Sequence, residues 1–378
     1  MNLLTVFAWA SAAVAASKQY DALQFTNLGF NGQYTPVLAL NDPELDTCSC
    51  QVGDAVSFSG PGTPFDEDLA VYVRGPLQLK YFYVFTSDDF VLGSNDSSWT
   101  AVAGYNGSKA ENLTFLTPAG ADLKCLGKAL TYADSDGTSK ADKATLLSPD
   151  AELKLNEELV IFSDKKCGNL SVNGDCGVYR NGIPAYHGFK GKAKFFVFGW
   201  KLVNDVDLPN TVAHYNKSAI LLLNARIPRT SMNFRDGNYS DCLCWLLGCG
   251  ELAAFEATDD GHNNQFRTTL HSLQNTYNVD QGNTIDGYTF QDTPYGGGSV
   301  LIDTAGNVVV FDQSALFLNM NITSSELNKA YNSTTKTQVY DVSKATNKDG
   351  NDKSDGVSVT VTKWKLAVVM AGILAMVI

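Results

Sequence analysis

Short runs of β-branched and aromatic residues alternate with clusters of Gly, Pro, Asn and Asp over most of this chain. Almost no stretch shows the spacing of apolar residues that marks an amphipathic helix. The clearest runs are Ala70–Arg74, Leu79–Phe85, Leu159–Phe162, Ala193–Trp200, Ser218–Leu223 and Val308–Phe311. Many short strands between turn signals are typical of a β-sandwich or jelly roll. The sequence therefore predicts an all-β fold.

Two of the runs are almost continuously apolar, namely Val197–Leu202 and Ile220–Leu223. A strand of this kind is expected to be covered on both faces, since a half-exposed strand alternates apolar and polar residues.

The expected organisation has five parts, with boundaries at residues 16, 150, 335 and 354. Residues 1–16 are a signal peptide, 17–150 an N-terminal β region that contains glycines, 151–335 a sandwich region, 336–354 a polar stalk and 355–378 an anchor signal. The stalk is expected because aromatic residues give way to Ser, Thr, Asn, Lys and Asp there. Residues 17–150 either form a separate module or supply strands to one large sandwich, and we favour packing against the second region.

The charge balance excludes some partners. The chain has 28 Lys and Arg against 40 Asp and Glu, a net charge of −12. A chain this acidic has no basic surface to follow a phosphate backbone, so nucleic-acid binding is not expected. Only four His occur, which argues against a multi-histidine metal enzyme. No metal or cofactor is therefore expected.

The N-terminus resembles a secretory signal. Residues Met1–Ala16 carry no charge, and Ala13, Val14 and Ala15 form an A-x-A cleavage site. The alternative is a buried first helix.

The C-terminus ends in the uncharged apolar segment Leu366–Ile378, which is shorter than the roughly 20 residues that span a bilayer. A glycolipid (GPI) attachment signal consists of small residues, a polar spacer and an apolar end. The C-terminus has this order, with the small residues beginning at Ser354. The alternative is a short tail anchor. The two termini together predict a secreted protein held in the cell wall or on the membrane by a GPI anchor.

Two residue sets fit a secreted glycoprotein. N-glycosylation sequons occur at Asn95, Asn106, Asn112, Asn169, Asn216, Asn238, Asn321 and Asn332. The cysteines are an even set, at Cys48, Cys50, Cys125, Cys167, Cys176, Cys242, Cys244 and Cys249. Such a set suits disulfide bonds in an oxidising compartment, whereas zinc binding is the alternative for the last three.

Chemistry is concentrated in Cys242–Glu256. Glu251 and Glu256 lie five positions apart in an otherwise apolar run, which in a regular strand would place them on opposite faces. A β-bulge between them would bring both to one face. Paired carboxyls at a cleft are what a retaining glycosidase uses as nucleophile and general acid/base. The alternative is that Glu251 closes a turn and Glu256 points into solvent.

The pattern C-x-C-W-x-x-G-C-G-E-x-x-x-F-E in this segment resembles that of a family of fungal (yeast) cell-wall proteins regarded as endo-β-1,3-glucanases. That family is itself similar to glycoside hydrolase family 16, jelly-roll enzymes with an E-x-D-x-x-E motif. The resemblance extends to Leu23–Tyr34, Cys48–Cys50, Phe58–Gly60, Arg74–Pro76, Cys176–Tyr186, Leu222–Thr230 and Thr269–His271. It implies β-glucan as the partner, Glu251 as nucleophile and Glu256 as general acid/base.

Two further roles follow from the resemblance. His271 would line the cleft, the alternative being an ordinary strand residue with a hydrogen bond. Trp245 would stack on a sugar ring, since an indole packs on the apolar face of a pyranose. The alternative for Trp245 is a core residue that covers the neighbouring cysteines.

The chain also departs from the family pattern. Ala253 replaces the middle Asp of E-x-D-x-x-E, and Leu221 stands where the pattern tends to carry Trp. The first change removes a carboxylate that would help hold the two Glu pKa values apart, and the second removes a stacking surface. We therefore expect either an endo-β-1,3-glucanase or transglucosylase, or a glucan-binding or structural wall protein that has lost the chemistry. An adhesin would need a long Ser/Thr-rich stalk or repeat, which the sequence lacks.

Overall fold

The computed structural model describes residues 20–35, 37–40, 50–123, 127–168, 184–203, 218–225, 250–257, 265–272, 283–289, 295–312, 321–344 and 358–362. Several predictions lie outside these residues: the signal peptide at 1–16, Trp245, Ser354, six cysteines (Cys48, Cys125, Cys176, Cys242, Cys244, Cys249) and three sequons (Asn169, Asn216, Asn238). Cys167 is disulfide-bonded. None of the helices formed by the described residues is both long and apolar enough to cross a membrane.

Strands are the main secondary structure of the described residues. The strands are β1 (Ala22–Thr26), β2 (Gly32–Tyr34), β3 (Val37–Leu40), β4 (Cys50–Val52), β5 (Val56–Phe58), β6 (Leu69–Arg74), β7 (Leu77–Ser87), β8 (Thr100–Tyr105), β9 (Ala110–Glu111), β10 (Leu113–Thr117), β11 (Asp122–Leu123), β12 (Gly127–Lys128), β13 (Thr131–Ala133), β14 (Lys140–Ala141), β15 (Glu158–Ser163), β16 (Ala193–Leu202), β17 (Ala219–Asn224), β18 (Glu251–Ala257), β19 (Gln265–His271), β20 (Asn283–Thr289), β21 (Tyr295–Ile302), β22 (Val308–Phe311), β23 (Lys336–Asp341) and β24 (Ser358–Thr362). Helix α1 spans Ser324–Ser333, and a 3₁₀ turn spans Val342–Lys344.

Two nine-stranded sheets carry the fold. The first has the order β24-β23-β1-β22-β21-β16-β7-β8-β9, and the second has the order β14-β13-β10-β15-β6-β17-β18-β19-β20. Within the first sheet β1 and β23 run parallel, whereas the central pairs of both sheets, such as β16 with β7 and β17 with β18, are antiparallel. Three small two-stranded sheets join β2 to β5, β3 to β4 and β11 to β12.

The two large sheets pack face to face around one apolar core. The first sheet contributes residues such as Phe25, Phe196 and Val300, and the second contributes residues such as Ile220 and Leu252. Each such side chain stabilises the fold by about 1.5–3 kcal/mol on full burial. The predicted all-β sandwich is thereby confirmed.

All six predicted runs correspond to strands, namely β6, β7, β15, β16, β17 and β22, with only Ser218 lying outside its strand. The two nearly continuously apolar runs lie in β16 and β17, each an interior strand of its sheet. Five of the six residues of β17 are apolar, and all six are buried, as expected for a strand covered on both faces.

Residue 150 does not separate two sheets. Both sheets combine strands from before and after it: β7 pairs with β16 in the first sheet, and β6 pairs with β17 in the second. Residues 17–150 therefore supply strands to one large sandwich.

The polar segment expected to be a stalk begins inside the first sheet. Lys336–Asp341 forms β23, which pairs with β1, and residues 358–362 form β24 beside it. The sequence reading overlooked the apolar residues of this segment: the Tyr340 ring centroid lies 5.8 Å from that of Phe25, and Val342 is fully buried. Helix α1 was likewise not anticipated, although Thr323 and Glu326 form a capping box at its N-terminus.

Candidate active site

The predicted site lies on the outer face of the second sheet, on β6, β17, β18 and β19. We call this surface the site face. Side chains of β17 alternate between the two faces of the sheet. Ile220 and Leu222 enter the core between the sheets, whereas Ala219, Leu221 and Leu223 lie on the site face.

A β-bulge in β18 places both predicted catalytic residues on the site face. Glu251 pairs with Leu223 on β17, and Glu256 pairs with Ala219. Five residue steps along β18 thus match four along β17, with the extra residue at Ala254. One inserted residue returns the later side chains to the original face. The bulge predicted from the glutamate spacing is therefore present.

The bulge is stabilised from the core side. Ala254 and Phe255 are both fully buried in the core between the sheets. Thr268 on β19 donates its hydroxyl hydrogen to the Ala254 carbonyl oxygen at 2.7 Å. This bond gives the bulged backbone a partner that the regular ladder does not provide.

Strand register arranges the site face in three rows. The first row contains Ala70, Leu223, Glu251 and His271. The middle row contains Tyr72, Leu221, Ala253 and Thr269. The third row, which we call the charged row, contains Arg74, Ala219, Glu256 and Arg267, with Glu158 of β15 opposite Arg74. Directly paired residues have Cβ atoms about 4.5–5.5 Å apart, so each row is a line of neighbours.

The charged row holds two ion pairs. Arg267 Nε lies 2.9 Å from Glu256 Oε2, and these side chains are 39% and 29% exposed. Arg74 Nε lies 3.1 Å from Glu158 Oε1, and here the carboxylate is fully buried. The charged row thus alternates in sign across the sheet. Its pair of Glu256 and Arg267 is more exposed to solvent than its pair of Arg74 and Glu158.

Burial is the largest single influence on Glu256 and by itself would raise its pKa. The hydrogen bond and charge of Arg267, together with the charges of His271 and Arg74, outweigh burial and hold the pKa of Glu256 below its ordinary value. The carboxylate form of Glu256 is therefore the favoured one at neutral pH.

Glu251 is 5% exposed at the start of β18. The preceding Gly250 has φ +80°, a conformation that favours glycine. A Cβ at Gly250 would lie 3.0 Å from Pro64 Cγ and 3.3 Å from Phe65 Cζ. The segment before β6 therefore packs closely against the backbone that presents Glu251.

The middle row is apolar and covered. Leu221 and Ala253 pair directly, and each is 2% exposed. They belong to one apolar cluster with Tyr34, against which Phe58 packs. Tyr34 and Phe58 come from the two-stranded sheet of β2 and β5, and their rings stack with centroids 6.3 Å apart. The N-terminal part of the chain thus contributes to the cover over this face.

The structure brings Glu251, Glu256 and His271 to one face, as the sequence predicted, and pairs His271 with Glu251. Trp245 lies outside the described residues. The sequence reading missed Arg267, Arg74 and Glu158. A single charged residue in a strand is expected to face solvent, and only the register between strands shows that these three lie in the same row as Glu256.

A separate cavity of about 800 Å³ lies at the far end of β6 and β17 from the charged row, with Asp68 and His187 in its lining. His187 Nδ1 lies 3.3 Å from Asp68 Oδ2. Glu67 in the same lining accepts hydrogen bonds from the Tyr34 hydroxyl, at 2.9 Å, and from Asn224 Nδ2. Glu67 in the lining therefore connects β2 to β17.

The sequons within the described residues are all accessible. Their asparagines, which are Asn95, Asn106, Asn112, Asn321 and Asn332, are exposed. Glycosylation at these positions stays a prediction.

Comparison with known proteins decides the family. Residues 97–330 match the family model described as "Cell wall protein YJL171C/Tos1, C-terminal", and residues 21–87 match its N-terminal counterpart. The chain belongs to the YJL171C/Tos1 family of cell wall proteins. The resemblance drawn from the motifs is thereby confirmed.

Members of the YJL171C/Tos1 family from two yeasts resemble the chain over most of its length. One from Candida albicans, named "Probable circularly permuted 1,3-beta-glucanase PGA52", is 41% identical over 86% of this chain and 85% of its own. Another from Saccharomyces cerevisiae, named "Probable circularly permuted 1,3-beta-glucanase YJL171C", is 36% identical over 93% of this chain and 90% of its own. No solved structure matches the chain significantly.

Proposed function

We propose that this chain is a retaining glycosidase that acts on the 1,3-β-glucan of the fungal cell wall, as an endoglucanase or transglucosylase. The observation that carries the proposal is the bulge at Ala254, which sets Glu251 and Glu256 on one face of the second sheet. The names of the C. albicans and S. cerevisiae relatives give the substrate, and the family gives the location in the wall.

Glu251 would be the nucleophile. One of its carboxylate oxygens forms a bond to C1 of a glucose unit as the bond from C1 to the leaving O3 breaks, and Glu256 gives its proton to that oxygen. In the second step a water, or the 3-hydroxyl of another glucan, attacks C1 and gives its proton to Glu256 while the bond to Glu251 breaks. Water yields hydrolysis, whereas a glucan hydroxyl yields transfer.

The mechanism sets a geometric requirement. Glu251 and Glu256 are separated by four ladder positions, or roughly 13 Å along the strand. Retaining enzymes hold their two carboxyl groups about 5–5.5 Å apart. The proposed mechanism therefore requires the two side chains to lean towards each other across the level of Ala253.

A second candidate is a wall protein that binds glucan without cleaving it. The observation that favours it is the pairing of Ala253 with Leu221, because both departures from the family pattern meet in the middle of the site face. Such a protein would keep the cleft but lack the carboxylate that helps to hold the pKa values of the two glutamates apart.

An assay on soluble 1,3-β-glucan separates the two candidates. Wild type, Glu251→Gln and Ala253→Asp are compared, with Glu111→Gln on the exposed strand β9 as a control for loss of a carboxylate elsewhere. A retaining enzyme loses at least about 10³-fold in rate with Glu251→Gln and nothing with Glu111→Gln. Product analysis by NMR then shows retention of the β-anomer, and longer products show transfer.

Other outcomes assign the second candidate. If only Ala253→Asp turns over glucan, the native chain is a binding protein with an intact cleft. If wild type binds glucan without turnover and Glu251→Gln binds equally well, the catalytic proposal is wrong.

We also propose that a GPI anchor attached at Ser354 holds the secreted chain on the membrane or in the wall. The support is the order of small residues, spacer and apolar tail in 354–378. Release of the protein from intact yeast cells by phosphatidylinositol-specific phospholipase C would support the anchor. Loss of the Ser354→Pro variant from the cell surface would support the attachment site. Retention of the Ser354→Pro variant on cells treated with the phospholipase would contradict the proposal.

A further inference from the structure

We infer that Arg267 is the positioning residue that orients Glu256 and sets the pH range in which this site works, in place of the carboxylate that the E-x-D-x-x-E motif of glycoside hydrolase family 16 carries at the position of Ala253. The inference rests on the proposed function. Arg267 was not singled out by the sequence, and it acts through Glu256 rather than on substrate.

Geometry is the first support. Arg267 lies directly opposite Glu256 on β19, and its Nε lies 2.9 Å from Glu256 Oε2. Within β18, the next residue on the site face towards Glu251 is Ala253, which carries no polar group. A bond from the neighbouring strand thus replaces the bond that an Asp within the motif would supply.

Among the residues that the structure describes, Arg267 is the charged group in direct contact with Glu256. From β17 the paired residue is the uncharged Ala219. From β6 the charge is Arg74, which is itself bound to Glu158 of β15. The second titratable group on β19 is His271, which lies two rows away on the site face. The titratable group on β18 itself is Glu251, in the same row as His271. Arg267 contacts Glu256 directly, so it has the largest effect of these groups.

The consequence concerns proton transfer. The first step needs Glu256 protonated, whereas Arg267 favours its carboxylate form and, with His271 and Arg74, holds the pKa of Glu256 below its ordinary value. The alkaline limb of a pH–rate profile reports the pKa of the essential acid. The wild-type site should therefore work best in acidic medium and lose rate as the pH rises towards neutrality.

The test compares wild type, Arg267→Lys and Arg267→Gln. Arg267 is 39% exposed, so both changes should leave the fold intact, and thermal unfolding checks this. With Arg267→Gln the alkaline limb of kcat/KM on soluble 1,3-β-glucan should move upwards by about one pH unit. Arg267→Lys keeps the charge and should keep the limb near its wild-type position, with a lower rate because a single ammonium orients the carboxylate less well.

A second readout does not depend on activity. Titration of the Glu256 carboxyl by ¹³C NMR, assigned with Glu256→Gln, should show the same upward shift in Arg267→Gln. An unchanged Glu256 titration in that variant, or an equal shift in Arg267→Lys, overturns the inference. A shifted titration in a protein that never turns over glucan supports the effect of Arg267 on the Glu256 pKa, refutes the proposed hydrolase function and overturns the part of the inference that concerns the working pH range.

Discussion

Leu221 and Ala253 pair directly across β17 and β18, between the levels of Glu251 and Glu256. Both residues are 2% exposed and lie in the apolar cluster that extends to Tyr34. The two departures from the family motif are thus one local feature, an apolar patch between two carboxylates. An Asp at 253 would therefore face a buried leucine.

Ala253→Asp should therefore lower stability even if it improves catalysis. It places a carboxyl in an apolar cluster beside two other carboxylates, which should cost about 1–3 kcal/mol of unfolding free energy. Urea denaturation measures the loss, and Ala253→Asn, which has the same shape without the charge, should lose less at pH 7. Equal losses in the two variants would show that size rather than charge is the cause.

Gly250→Ala should damage the site as well as the fold. Its φ of +80° strains any other residue, and the added Cβ would lie 3.0 Å from Pro64 Cγ and 3.3 Å from the His271 carbonyl oxygen. We expect a loss of about 1–3 kcal/mol in unfolding free energy, with reduced glucan turnover because Glu251 follows directly.

Gly93→Ala is the matched control for that variant. Gly93 has φ +98°, but a Cβ there would meet nothing within 4 Å. It should show the backbone strain alone, with unchanged turnover. If Gly93→Ala costs as much as Gly250→Ala and lowers turnover equally, the close packing before β6 does not position Glu251.

The sequence predicted what depends on local pattern. Strand runs such as Ile220–Leu223 carry their own signal, since β-branched and apolar residues between turns identify a strand without knowledge of its partners. The bulge was also predictable, because two carboxylates five positions apart in an apolar run needed it to share a face.

The neighbours of Glu256 could not be predicted in this way. Arg267 contacts it through pairing of β18 with β19, and Arg74 approaches it through β6, far away in sequence. Which residues meet across a sheet depends on register, and a shift of one residue turns every side chain to the other face. The strand character of Lys336–Asp341 was missed because overall polarity masked its two apolar residues, Val339 and Tyr340.

Asp312 should make stability fall as the pH rises through neutrality. Burial, with the charge of Asp21 added, raises its pKa to about 7, and its Oδ1 is buried without a hydrogen-bond partner among the described residues. The folded state keeps this proton until about pH 7, whereas the unfolded chain releases it near pH 4. Asp312→Asn should therefore match wild type near pH 4 and exceed it by about 1–3 kcal/mol at pH 8.

Asp341→Asn provides a control of opposite sign for that experiment. Hydrogen bonds from Ser343 and Asn27 lower the pKa of Asp341 to about 2. Asp341 therefore stabilises the folded state above about pH 4, and its contribution is lost as the pH falls towards 2. Asp341→Asn should be less stable than wild type near neutral pH. A stability difference between Asp312→Asn and wild type that is the same at pH 4 and pH 8 would contradict the assignment to Asp312.

Lys194 should give the opposite pH dependence from Asp312. It lies fully buried on β16, and its Nζ donates a hydrogen bond to the Phe65 carbonyl oxygen at 2.8 Å. Burial lowers the pKa of Lys194 to about 7, although the charges of Asp66, Asp68 and Glu67 oppose the shift. The unfolded chain holds this proton up to about pH 10.5, so the cost of burying the charge is complete below pH 7 and is relieved as the pH rises above it.

Lys194→Met isolates this effect, because methionine is of similar length and does not titrate. The stability of wild type relative to Lys194→Met should rise between pH 7 and pH 9 by up to about 1.4 kcal/mol per pH unit. Urea denaturation of both proteins at several pH values, with spectroscopic confirmation of two-state unfolding, gives this difference. A difference that stays constant over the range would mean that Lys194 keeps its proton in the folded protein and that Asp66, Glu67 and Asp68 fully offset its burial.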